Sequence, residues 1–304
     1  MYIQVFPTLR CNESCAFCFN RGIYAAADMG IYDFAGLAYR LAQEDIRDID
    51  ILGGEPTLHP ELVTLIDIAF SKDLSVSIST NGSNVKTLQA LSLRFDLSRL
   101  AIGVSLGNRP VHAELTDYIS EHRPWLKSVC NRQHFIPDSG LRFLRIPDIR
   151  YYAIFMDTLN AGDLEQGLSF PEYYLKLQQM KREFGNLEGV YCTGFISDSV
   201  NTPTLREVRC PAGTAKLSVM PDGSVYPCYL FFGRPEFRLG NIFSDNLNTI
   251  LNNTILDFFR IFETNNCPTL TCPHFSDCHG GCPALGLMLY GDLTAPDPRC
   301  LRQT

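Results

Sequence analysis

Cys11, Cys15 and Cys18 follow Cys-x3-Cys-x2-Cys spacing, close enough along one short loop for three sulfurs to face one centre. A structural zinc site takes four protein ligands, commonly in paired short spacings. Three thiolates on a tight loop instead suit a [4Fe–4S] cluster with one iron left for an external ligand, and Phe17 would shield it. Further along, Cys210 and Cys228 flank a glycine-bearing stretch. Cys267, Cys272, Cys278 and Cys282 crowd together, Cys300 follows, and Cys130 and Cys192 stand apart. The chain holds 12 cysteines, and its first ten residues carry no secretory h-region. Reduced thiols and a cytoplasmic location are therefore expected, and reduced thiols at short spacings hold metal. The rival reading, cysteines used as small core hydrophobes, leaves the clustering unexplained.

These groups need a scaffold to present them. The first two-thirds of the chain alternates strand-like and helix-like segments. Strands are expected at Tyr2–Phe6, Asp50–Leu52, Leu74–Ser79, Leu100–Leu106, Tyr151–Met156 and Leu187–Phe195. Helical faces fall at Phe34, Leu37, Ala38 and Leu41, at Leu62, Leu65, Ile66 and Ala69, near 85–94, over 111–126, and at Tyr173, Leu177, Met180 and Phe184. Such alternation implies parallel strands with right-handed crossovers, and hence a site at the strands' C-terminal ends. Arg10 to Cys18, Gly53-Gly54-Glu55-Pro56, Ser79 to Asn81 and Ser105 all fall on that edge. After about residue 197 the alternation stops. A β-hairpin is expected around Pro221-Asp222-Gly223-Ser224, a helix over 243–262, and loop beyond 267. The expected fold is α/β: a partial (β/α)6 TIM-like barrel over 1–197, then a small irregular Cys-rich domain carrying a hairpin over 198–304.

The run Cys11-Asn12-Glu13-Ser14-Cys15-Ala16-Phe17-Cys18 resembles the signature of radical S-adenosylmethionine enzymes, Cys-x3-Cys-x-aromatic-Cys. Gly53-Gly54-Glu55-Pro56 matches that family's Gly-Gly-Glu-Pro motif at the expected strand end. The resemblance implies that Cys11, Cys15 and Cys18 ligate three irons. The fourth iron would take the amino nitrogen and carboxylate of S-adenosylmethionine, with Gly53, Gly54 and Glu55 at its ammonium. Ser79, Asn81 and Ser105 sit where the family touches ribose or methionine carboxylate; the plainer reading makes them turn and strand-end residues.

The tail is similar to the SPASM extension, which adds two auxiliary [4Fe–4S] clusters. Seven cysteines match, with four residues rather than two between Cys267 and Cys272. By resemblance, Cys210, Cys228 and Cys282 serve the first auxiliary cluster, and Cys267, Cys272, Cys278 and Cys300 the second. Cys192 or an open iron completes the first. If Cys267 is not a ligand, a single auxiliary cluster fits. His274 and His279 lie in the intercysteine spacers and are better read as solvated or hydrogen-bonding.

The resemblance implies reductive cleavage of S-adenosylmethionine to a 5′-deoxyadenosyl radical, which abstracts hydrogen from a substrate. SPASM substrates are mostly peptides or proteins that become crosslinked, oxidised or epimerised, and tetrapyrroles or other cofactor precursors are the alternative. A flavodoxin- or ferredoxin-type donor is expected. The cluster motif begins at residue 11, so any peptide-recognition module is expected on a separate protein. A non-enzymatic iron–sulfur carrier would leave Gly53-Gly54-Glu55-Pro56 and the barrel without purpose, and a zinc-stabilised binding protein is the third reading. A net charge of −7 with no run of five like charges gives no support to nucleic acid as a partner. No 18-residue apolar run exists, so no membrane span is expected.

Overall fold

The computed structural model describes residues 1–23, 27–190, 210–260, 267 and 280–300. Its frame is a curved sheet in which seven strands run parallel: β1 (Tyr2–Val5), β2 (Asp48–Ile51), β3 (Ser75–Thr80), β4 (Leu100–Ser105), β5 (Trp125–Cys130), β6 (Tyr151–Phe155) and β7 (Leu187–Val190). Helices α1 (Ile31–Gln43), α2 (Leu62–Ser71), α3 (Val85–Arg94) and α4 (Ala113–His122) link the first five, as crossovers must. Short α5 (Asp138–Leu141) precedes β6, and α6 (Ala161–Gln166) and α7 (Phe170–Glu183) precede β7. The partial α/β barrel is as the periodicity implies, with one strand more. Residues 111–126 do not form one helix: α4 stops at His122, with Arg123 in the left-handed region, and Trp125 opens β5. Lys127 and Ser128 interrupt the apolar run of β5 and hide it from a hydrophobicity reading.

Alternation along each strand sorts the residues. Ile3, Val5, Ile49, Ile51, Val76 and Ile78 pack outward with Phe34, Leu37, Ala38 and Leu41 of α1 and Leu65, Ile66 and Ala69 of α2 in one continuous core. The inward positions carry polar groups in register: Gln4 lies opposite both Asp50 and Ser218, and Asp50 opposite Ser77. Tyr151 and Phe155 are buried, and Phe155 and Tyr152 both line the cavity inside the barrel.

The hairpin of the tail is β8 (Lys216–Val219) and β9 (Ser224–Tyr226), turned at Asp222-Gly223. It does not form a separate sheet. β8 pairs parallel with β1, and two-residue β10 (Gly240–Asn241) adds to β9, giving the order β10-β9-β8-β1-β2-β3-β4-β5-β6-β7 among the described residues. The expected helix over 243–262 is broken: α8 (Leu247–Leu251) and α9 (Asp257–Arg260) are separated at Asn252 and Asn253, and Asn246 and Asn253 each accept a backbone N–H as local caps. The stretch beyond 267 is not loop throughout, because α10 (Pro283–Tyr290) follows Cys282 and ends at left-handed Gly291. The boundary expected near 197 lies outside the described residues. Among those described, no helix is long and apolar enough to cross a membrane.

Candidate functional site

Cys11, Cys15 and Cys18 occupy the loop that leaves β1, at the C-terminal edge of the sheet. The loop is folded by its own backbone: Cys18 N–H donates to Cys15 O at 3.1 Å, and Glu13 N–H points at Cys11 Sγ at 3.4 Å. Burial pushes the Cys11 and Cys15 thiols up. Glu55 and Cys18 add to the effect at Cys11, and Cys18 and Cys11 add to it at Cys15. Thiols that feel one another in this way are near neighbours, and a cationic centre would release the protons of Cys11 and Cys15. The donor set fits an iron–sulfur cluster held by three thiolates.

Gly53-Gly54-Glu55 is stitched to this loop. Gly54 N–H donates to Thr8 O at 3.0 Å, and Glu55 N–H to Arg10 O at 2.8 Å. A Cβ on Gly54 would stand 2.2 Å from Arg10 O and 2.6 Å from Leu9 O, and one on Gly53, where φ is +158°, 2.5 Å from Thr8 O. The glycines thus let two backbones touch. Glu55 is buried. Its Oε1 accepts from Thr57 N, Thr57 Oγ1 and Thr80 Oγ1, and its Oε2 from Asn81 N at 2.7 Å. One carboxylate thereby ties the end of β2 to the end of β3 and keeps room for another donor at Oε2. Pro56 stands behind the cavity wall, at the start of a short 3-10 turn that Glu55 caps.

These groups line one cavity of about 1100 Å³. The three cysteines, Gly53, Gly54, Glu55, Ser79, Asn81 and Ser105 all face it, as does Phe17. Ser79 Oγ accepts from Lys127 Nζ at 2.5 Å, and Asn81 Nδ2 donates to Asn12 Oδ1 at 2.8 Å.

Sequence reasoning missed several wall residues. Arg109, on the loop after β4, pairs with Glu13 between the first two cysteines and donates to Asn81 O. Lys127 on β5 is buried, and desolvation brings its ammonium down to about 8, while Asp50 and Glu55 oppose the fall. Asp50, opposite Gln4, is pushed up to about 7 by its own burial, which Lys127 opposes. Among the described residues Asp50 Oδ2 has no hydrogen-bond partner. The expected strand ends do mark β4 and β6. Position on such an edge is the one sequence signal that could have found Arg109 and Asp157, and the hidden strand β5 concealed Lys127.

A second, smaller cavity lies between barrel and tail, lined by Cys210, Cys228 and Cys282 with Asp157, Lys216 and Tyr229. The Cys228 thiol is pushed up to about 12, first by burial and then by Lys216 in opposition and Cys282 in support. Among the described residues no three His, Cys, Asp or Glu side chains gather tightly enough to share a single metal ion. Thiols ringed round a cavity suit a larger multi-iron body. Asp297 and Arg299 brace this wall: Asp297 Oδ2 accepts Cys282 N–H at 2.9 Å and Arg299 Nη2 at 2.7 Å, and Arg299 Nη1 donates to Met156 O. Cys267 and Cys300 are half-buried and lie apart from this cavity. Cys130 is buried at the end of β5. Cys192, Cys272 and Cys278, like His274 and His279, lie outside the described residues.

Comparison with known proteins agrees with this geometry. The family model described as the Radical SAM superfamily matches residues 5–127, and the SPASM model, an iron–sulfur cluster-binding domain, matches residues 210–282. The chain is 26% identical to the antilisterial bacteriocin subtilosin biosynthesis protein AlbA of Bacillus subtilis, over 92% of this chain and 66% of that protein. It is 25% identical to the PqqA peptide cyclase of Gluconobacter oxydans, over 96% and 88%. Streptococcus suis SuiB, solved with its precursor peptide SuiA, shares the fold with a TM-score of 0.74 at 20% identity, covering 99% of this chain and 75% of that one. The cysteine loop, the glycine-rich strand end braced against it and the cysteine-lined tail cavity thus have a common explanation: this chain carries a radical SAM superfamily domain and a SPASM iron–sulfur cluster-binding domain, which imply S-adenosylmethionine and [4Fe–4S] clusters as its cofactors.

Proposed function

We propose that this protein is a peptide maturase. The observation that carries the reading is the continuity of the larger cavity, which runs from Cys11, Cys15 and Cys18 past Ser79, Asn81 and Ser105 to Arg150, Tyr152, Asn186 and Glu188. At about 1100 Å³ it exceeds an ordinary single-ligand pocket. That leaves room for a peptide segment beside the cofactor, with Arg150 and Glu188 to meet charged or main-chain groups. AlbA is named as a bacteriocin biosynthesis protein, the PqqA protein as a peptide cyclase, and SuiB was solved bound to a precursor peptide, which supports the same class here.

Cys11, Cys15 and Cys18 would hold the radical-generating cluster. Gly53, Gly54 and the spare lone pair of Glu55 Oε2 would meet the methionyl ammonium, a charge-assisted pairing. Ser79, Asn81 and Ser105 would meet the carboxylate and ribose. When bound, the cluster and S-adenosylmethionine supply a 5′-deoxyadenosyl radical able to take hydrogen from an unactivated carbon. The chain's own work is placement. Arg109 anchors the cysteine loop to the end of β3, Lys127 fixes Ser79, and Phe17, Phe6, Phe19 and Tyr229 line the cavity with apolar surface that excludes water.

Cys210, Cys228 and Cys282 would hold an auxiliary cluster, and Cys267, Cys272, Cys278 and Cys300 a second. We assign residues 1–197 to the barrel and 198–304 to the SPASM part. A flavodoxin- or ferredoxin-type protein would deliver the electron, and a separate recognition protein would present the peptide.

Anaerobic reconstitution tests the reading. About twelve irons per chain are expected, falling to about eight when Cys11, Cys15 and Cys18 are changed to Ala, by four irons per cluster. With dithionite and S-adenosylmethionine, the parent should release 5′-deoxyadenosine, and a precursor peptide encoded beside the gene should lose hydrogen mass. Zinc in place of iron, or no 5′-deoxyadenosine, would overturn it.

A further inference from the structure

The cavity ringed by Cys210, Cys228 and Cys282 is lined by one carboxylate among its described residues, that of Asp157. Asp157 lies just beyond β6, at the same C-terminal edge that carries the cysteine loop. Tyr229 Oη donates to its Oδ2 at 2.7 Å, and among the described residues Oδ1 is met by Arg299 Nη1 at 3.7 Å, beyond hydrogen-bonding distance. The charge of Asp157 is felt at Cys228. The other polar groups on this wall are poorer donors to iron: Lys216 carries an ammonium, and the Tyr229 hydroxyl is spent on Asp157. Asp157 and Tyr229 also line the larger cavity, so the carboxylate stands at the junction of the two.

We propose that Asp157 supplies the fourth ligand of the auxiliary cluster held by Cys210, Cys228 and Cys282, an oxygen donor at the iron facing the substrate cavity. Iron–sulfur clusters accept donors other than cysteine, and a carboxylate is a harder ligand than a thiolate. It therefore exchanges more readily on an iron otherwise bound by sulfur. Tyr229 holds the carboxylate by Oδ2 and leaves Oδ1 to face the cluster. Arg299, itself neutralised by Asp297, stands 3.7 Å from Oδ1 without donating a hydrogen bond to it. A peptide side chain entering from the larger cavity could displace Oδ1 while Tyr229 retains the freed aspartate. Cys192 is then not required as a ligand. The inference rests on reading these three cysteines as cluster ligands.

The test uses full-length protein with Cys11, Cys15 and Cys18 changed to Ala, so that only auxiliary clusters contribute. It is prepared with aspartate 13C-labelled at the side-chain carboxyl and reduced with dithionite. Electron–nuclear double resonance should detect a 13C coupling from a ligating carboxylate. Asp157→Asn should abolish that coupling and leave iron content unchanged, since three cysteines remain. Asp157→Cys should also retain the iron and shift the electron paramagnetic resonance spectrum. Cys192→Ala should alter neither. No coupling in the parent, coupling that survives Asp157→Asn, or a spectrum that changes with Cys192→Ala instead would overturn the assignment. If Cys228→Ala leaves iron and sulfide unchanged, no cluster sits there, and the underlying reading fails with it.

Discussion

The close approach of two backbones sets the tightest constraint at the site. Gly54 carries no Cβ because Arg10 O lies 2.2 Å from where one would be, and Arg10 immediately precedes Cys11. The obstacle is backbone, so it cannot turn aside as a flexible side chain would. Gly54→Ala is therefore expected to push the cysteine loop away and to cost the protein about four irons, leaving the auxiliary iron in place. Iron and sulfide assays with 5′-deoxyadenosine release check this. The functional character of these residues was legible from their types and spacing. Their structural duty was not, since nothing in Gly53-Gly54-Glu55-Pro56 announces that the Glu55 carboxylate is bonded to Thr57, Thr80 and Asn81. Contacts between residues 25 apart depend on register, which a sequence does not display.

Among the elements, β5 shows how function hides structure. Its apolar pattern is broken by Lys127, which lines the cavity, and by Ser128, whose Oγ donates to Leu106 O and pairs with the Tyr151 hydroxyl. A buried lysine is tolerated because Asp50 stands across the barrel and Ser79 Oγ accepts a hydrogen bond from its Nζ. The pair makes stability pH-dependent. Asp50 keeps its proton in the folded state up to about 7 and releases it from the unfolded chain near 3.8. The native state binds more protons over that interval, so stability falls as pH rises through it. Lys127, lowered to about 8 from 10.5, acts oppositely, and stability recovers above about pH 8. Lys127→Met removes the cation that favours ionised Asp50. Urea midpoints measured from pH 5 to 10 should then keep falling past pH 7 and show no recovery. A profile identical to the parent's would separate the two groups. The other missed or altered elements have local causes: Asn252 and Asn253 split the helix expected over 243–262, and α10 is short and nearly uniformly apolar, without the alternating face that marks a surface helix.

For the whole molecule, the tail and the barrel are one body. Phe6 of the barrel touches Phe19 beside the cysteine loop and Phe232 of the tail, with ring centroids 5.5 and 4.9 Å apart, and Phe19 meets Tyr229 at 4.8 Å. Arg299 fastens the last described residues by stacking on Phe155 at 4.1 Å and pairing with Asp297 in a buried site. Arg299→Met would strand the Asp297 carboxylate, at an expected cost of roughly 3–5 kcal/mol. The measurement is a urea unfolding curve alongside protease sensitivity of the C-terminal segment, and an unshifted midpoint would show the clamp to be idle. The domain family of the tail was legible from cysteine spacing alone, whereas its membership in the barrel's own sheet was not, because strand pairing over more than 200 residues leaves no local trace. That pairing also orders events during synthesis. β1 leaves the ribosome first yet lies between β2 and β8, so one of its edges waits for a partner until residue 219 has emerged. For all that time the cysteine loop hangs from an unsealed strand, open to the cellular machinery that delivers iron and sulfide. The hairpin's arrival closes the sheet behind it, while the loop itself keeps its opening to the cavity at the strands' C-terminal edge.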